Sequence, residues 1–162
     1  MVYRERPLLF PVLTAASGSA ITVDHANAYT TGDVVGGQLK CFFGTDHGGR
    51  IIGAYITDKG VQSAAYIIHV YGSVASTIAD DAAFAPTDAD AILEIGTISV
   101  SAGDYATANG GAYSKAYMTP PDCDITIPAT VDGAVWVYLE VLEAADYVAA
   151  TDLVIDFLIL VN

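Results

Sequence analysis

Positive charge is the scarcest resource of this chain: six Lys and Arg stand against nineteen Asp and Glu in 162 residues, a net charge of −13. Such a balance repels nucleic-acid phosphates and anionic lipid surfaces, so DNA or RNA binding and electrostatic membrane attachment are not expected. Long apolar runs are missing too. The longest, "LVIDFLILV" at 153 to 161, contains Asp156 and is less than half a membrane span. The opening "MVYRERPLLFPVL" is cut by Pro7 and Pro11 and lacks the apolar core of a signal peptide. Cys41 and Cys123 are the only cysteines, in no metal-binding spacing, and whether they form a disulfide is left open. Cys41 lies in an apolar run as a small buried hydrophobe, whereas Asp122 and Asp124 on either side of Cys123 are expected to raise its thiol pKa.

Leucine is sparse beside Ala, Val, Ile, Thr and Tyr, and Gly and Asp punctuate the apolar runs, a mixture that favours strands. Candidate strands fall at 33 to 43, 50 to 57 ("RIIGAYIT") and 64 to 71 ("AAYIIHVY"), separated by the turns "GTDHGG" and "DKG" and expected to run as a meander. Strands also fit "GTISVS", "AYSKAYM" and "ITI" at 125 to 127, with a shorter one from Ile21. Around 87 to 94 the period changes: Thr87 can cap, Asp88 and Asp90 suit a helix N-terminus, and one short helix is predicted.

Two long strands close the chain. "AVWVYLEVLEA" puts Val135, Val137, Leu139 and Val141 on one face and Trp136, Tyr138, Glu140 and Leu142 on the other. The last puts Leu153, Ile155, Phe157, Ile159 and Val161 on one face, with Asp156 among Val154, Leu158 and Leu160 on the other. Strands apolar on both faces are central in a two-layer structure or covered by another subunit. The expected fold is all-β, a two-layer β-sandwich of jelly-roll arrangement over residues 14 to 162, preceded by an extended N-terminal arm at 1 to 13.

No catalytic signature emerges. "GDVVGGQLK" lacks the Lys and Ser or Thr that must follow the last glycine of a phosphate loop, so Gly36 and Gly37 are read as a bulge, a bend or a close approach within a strand. No serine sits in G-x-S-x-G. His25, His47 and His69 lack the close pairing that aims two rings at one metal; His69 reads as a satisfied sheet residue and His47 as an exposed turn residue. Asp80-Asp81, Asp88-Asp90 and Asp122-Asp124 could offer oxygens to calcium, but turn and capping roles account for them better. No catalytic, cofactor or metal residue is assigned, and the chain is expected to be non-enzymatic.

In order, "YTTGDVVGGQL", "GGRIIGAYITDKGVQSAAYIIHVYG" and "DDAAFAPTDADAILEIGTISV" resemble a group of small virion proteins of tailed bacteriophages. The likeness spans about residues 28 to 100 and rests on structural residues. It implies a head decoration, or cement, protein on the outer capsid surface, often a trimer, whose partners are the major capsid protein and further copies of itself. Tyr3, Arg4, Arg6, Leu8, Leu9 and Phe10 in the arm are then the expected contact residues. The competing expectation is a receptor- or glycan-binding module of a tail fibre or adhesin, using exposed Tyr and Trp136.

Overall fold

The computed structural model describes residues 8–9, 13–14, 21–24, 26–42, 48–108, 110–128 and 133–161. The strands are β1 (Leu8–Leu9), β2 (Leu13–Thr14), β3 (Val34–Phe42), β4 (Gly49–Asp58), β5 (Tyr66–Tyr71), β6 (Glu94–Val100), β7 (Tyr105–Thr107), β8 (Ser114–Met118), β9 (Ile125–Ile127), β10 (Ala134–Val141) and β11 (Leu153–Val161). Among the described residues one α-helix, α1 (Asp88–Ala91), joins them. All the strand pairs are antiparallel.

The first sheet runs β1-β11-β4-β8-β7, with β2 also on β11 and β9 also on β4; the second runs β3-β10-β5-β6. Following the chain, β3 lies in the second sheet, β4 in the first, β5 and β6 in the second, β7 to β9 in the first, β10 in the second and β11 in the first. That alternation is the double Greek key of a jelly-roll. It corrects the meander expected over 33 to 71: β3, β4 and β5 are consecutive in sequence but never pair with one another, because each connection crosses between layers.

Alternation along the strands builds the core. Val135, Val137, Leu139 and Val141 of β10 face Leu153, Ile155, Phe157 and Ile159 of β11 across the sandwich, joined by Ile51 and Ile56 of β4 and Ile68 and Val70 of β5. All are essentially fully buried, and each aliphatic side chain so buried is worth about 1.5–3 kcal/mol.

The outer face of the second sheet is apolar as well, and the chain covers it with its own residues 72–93. Ala75, Ile78, Phe84 and Leu93 pack on Val34, Tyr71, Trp136 and Tyr138. Tyr138 fastens this cover: its hydroxyl donates to the Ser76 carbonyl (2.5 Å) and accepts from the Gln38 side chain (2.8 Å) and the Ile78 N–H (3.3 Å). The second apolar face of β10 is therefore sealed within one chain, without a neighbouring subunit.

Within that cover lies α1, capped as the sequence indicates. Thr87 Oγ1 accepts from the Asp90 N–H (3.2 Å), while Asp90 Oδ2 accepts from the Thr87 N–H (3.0 Å) and hydroxyl (2.7 Å). Asp90 Oδ1 takes the Ser76 N–H as well (2.8 Å). Hydrogen bonds from Thr87 and then Ser76 hold the Asp90 carboxyl at about 2, below its ordinary 3.8. A depressed carboxylate contributes stability above its unfolded pKa and loses it as pH falls through the folded one. The Asp90 contacts are thus expected to persist at pH 4 and fail towards pH 2; the Ser76 amide resonance should titrate with a midpoint near the lower value. A midpoint near that of an ordinary aspartate would contradict the capping account.

The paired glycines form a bulge. Val35 pairs with Leu139 and Leu39 with Val137, so β3 carries extra residues where Gly36 and Gly37 stand. Both have positive φ, 76° and 67°. The Gly36 N–H donates to Asp80 Oδ1 (2.6 Å), which also accepts from the Tyr29 hydroxyl (2.7 Å) and the Asp81 N–H (3.1 Å). A side chain at Gly36 would meet Ile21 Cγ2 at 2.0 Å, so the bulge is a packed corner. The short strand expected from Ile21 is a single bridge to Leu153.

Candidate functional site

The residues with chemical potential are mostly absorbed by the fold. His69, in the middle of β5, is bonded on both sides: Nδ1 to Glu94 Oε1 (2.9 Å) on β6 and Nε2 to Glu140 Oε2 (3.0 Å) on β10. Phe84 of the 72–93 segment stacks on its ring, with centroids 4.0 Å apart. One imidazole thus ties three strands and the cover together, the satisfied sheet histidine foreseen from its neighbours. His25 and His47 lie outside the described residues.

Cys41 and Cys123 are both buried and free. Burial pushes each thiol up to about 12. For Cys123 the direction agrees with the expectation from its acidic flanks, but the main cause is burial, with Asp124 second. Asp124 instead pairs with Arg50 through both carboxylate oxygens. Asp58 at the end of β4 is completely buried and accepts from the Ser63 N–H (2.6 Å); burial raises its pKa against the pull of surrounding loop N–H groups. Among the described residues no group of three or more His, Cys, Asp or Glu could hold a metal ion.

Of the expected contact residues, Leu8 and Leu9 form β1, whose backbone pairs with Val161 and Leu160 of β11. Tyr3, Arg4, Arg6 and Phe10 lie outside the described residues. Leu13 and Thr14, where the arm was expected to give way to the domain, also pair with β11, at Phe157 and Asp156. At Leu8–Leu9 and Leu13–Thr14, then, the first fourteen residues are joined to the sandwich as edge strands.

Trp136, named for ligand contact, is only 8% exposed and belongs to the sealed face, with the Lys40 amine 5.1 Å from its ring centroid. Aromatic surface is open instead on the outer face of the first sheet. Tyr113, just before β8, is 39% exposed and Tyr117 within it 54%. Tyr117 pairs in register with Tyr55 of β4, and the two rings meet edge to face at 5.2 Å and 84°. Lys115, between the tyrosines, holds its amine 5.5 Å from the Tyr113 ring centroid. Thr107 and the small Ala106 and Ala108 complete a shallow groove of about 230 Å³.

In the same cross-strand row as Tyr55 and Tyr117 is Asp156 of β11. Its Oδ1 is buried without a hydrogen-bond partner among the described residues. Burial raises the Asp156 pKa while Lys115 draws it down, so the two charges feel one another across the face. The tyrosine row was missed in the sequence, although its signal was present: Tyr113, Lys115 and Tyr117 alternate through "AYSKAYM", which puts all three on one side of a strand.

Fold and surface together define a jelly-roll β-sandwich with one outer face sealed by its own chain and an aromatic row open on the other. No family model matches the chain, and no curated protein or solved structure matches it.

Proposed function

We propose that this protein is a non-enzymatic virion component that binds the outer surface of a phage capsid and stabilises it by bridging capsid subunits. The observation that carries the reading is where the resemblance falls in three dimensions. "GDVVGG" is the bulged corner of β3, "TDK" the end of β4 and its turn, and "DDAAFAPTDAD" the cover with its capped helix. These residues shape the sandwich, and it is in them that the resemblance lies.

A net charge of −13 suits a site outside a DNA-filled shell. Several copies, each contributing modest contacts to the capsid and to one another, resist internal pressure because the contacts must break together. A trimer is the expected assembly, with Tyr3, Arg4, Arg6, Leu8, Leu9 and Phe10 as the contact residues.

Quantitative mass spectrometry of purified virions tests the proposal through the copy number relative to the major capsid protein. A ratio within a small factor of one is expected. A few copies per particle would favour a tail or vertex module, and absence from the particle would remove the virion reading. Deleting residues 2–7 leaves β1 and β2 in the chain and should weaken capsid binding; a variant that decorates capsids as well as the parent would exclude a role for that segment.

A further inference from the structure

We infer that the groove beside β7 and β8 is a binding site for a neutral saccharide, with Tyr117 as its stacking platform. The inference goes beyond capsid attachment and does not depend on it.

The groove combines what a sugar ring requires. A pyranose offers an apolar C–H face and a rim of hydroxyls, and a tyrosine supplies a flat apolar body with a polar tip at small entropic cost. Tyr117 is more than half exposed yet braced edge to face against Tyr55, so its platform is held before a ligand arrives. Preorganisation of this kind lowers the cost of binding. Ala106 and Ala108 leave the depression, and Thr107, Tyr113 and Lys115 line it beside Tyr117.

Charge selects the class of ligand. Lys115 alone would draw a phosphate or carboxylate, but its amine already lies 5.5 Å from the Tyr113 ring centroid and the surrounding chain is strongly acidic. A single engaged cation in an acidic chain favours a ligand that hydrogen-bonds and carries no net charge. At about 230 Å³, the open groove is smaller than the enclosed pockets of drug-sized ligands and suits a short sugar segment lying across the strands.

The test is a heteronuclear NMR titration of the intact chain with neutral oligosaccharides: maltotriose, cellotriose and mannotriose, each to about 20 mM, the range in which weak shallow sites saturate. At least one is expected to give saturable shifts centred on residues 106–108 and 113–117, reaching Tyr55. Tyr117→Ala should weaken that binding about tenfold or more, whereas Tyr117→Phe, which keeps the ring, should stay within about twofold. Both changes are at an exposed position, and the unchanged remainder of the spectrum reports that the fold is intact. Silence across the three sugars would overturn the inference, as would shifts elsewhere on the protein or shifts indifferent to Tyr117→Ala.

Discussion

Gly36→Ala is expected to lower the unfolding free energy by about 3 kcal/mol or more, read as a shift of the urea midpoint. The left-handed backbone costs a residue with a Cβ about 1–2 kcal/mol, and forcing a methyl group into an occupied corner adds about 1–3 kcal/mol. Here the corner is occupied by Ile21, whose Cγ2 would lie 2.0 Å from the new atom, and the Asp80 bond to the Gly36 N–H resists retreat. Gly37 provides the control. Its φ is also positive, but its nearest neighbour, the Asp80 backbone nitrogen, is 3.5 Å from a Cβ at that site. Gly37→Ala should therefore show the backbone cost alone, about 1–2 kcal/mol. Equal losses at the two positions would mean that the corner yields and that Ile21 does not define it.

His69→Ala should cost about 2–3 kcal/mol, the scale set by removing hydrogen bonds to charged partners from a mostly buried position. Both ring nitrogens contact carboxylates, so the truncation leaves Glu94 and Glu140 facing a cavity without the imidazole between them. Phe84 loses its stacking partner at the same time. The damage should be directional: amide exchange across residues 73–86 should accelerate more than exchange in β4 or β11, because the cover rests on this ring and the first sheet does not. Adding Glu140→Gln to His69→Ala should restore part of the loss, since the two positions share one network and their effects will not add. If the double variant is the sum of the singles, the histidine is packing material and its contacts with the carboxylates carry little.

The strands were legible because their side chains repeat. β10 and β11 announce two apolar faces by simple alternation, and the division of Val135, Val137, Leu139 and Val141 from Trp136 and Tyr138 is the one observed. Thr87 and Asp90 announce the capped helix by their spacing. Pairing partners left no such mark. Nothing in "GTDHGG" or "DKG" states that the chain crosses to the other layer, and so the meander was a reasonable expectation that the long-range pairings replaced. Nor could local pattern decide what covers Trp136 and Tyr138, since a subunit and the residues 72–93 are equivalent solutions to the same exposed apolar area. The surface row of Tyr113, Lys115 and Tyr117 was written in alternation, but its Tyr55 and Asp156 neighbours come from strands far away in sequence.

The place of β11 has a consequence for how the molecule is made. This strand pairs with β4 along nearly its whole length on one side and receives β1 and β2 on the other, yet it is synthesised after all three. Until residues 153–161 leave the ribosome, β4 has an open edge and the core lacks Leu153, Ile155, Phe157 and Ile159. The second sheet can assemble from β3, β5, β6 and β10 before then, but the first has no centre. Closure of the sandwich therefore waits for β11, and a translation product interrupted before it would expose a strand edge prone to pairing with other copies.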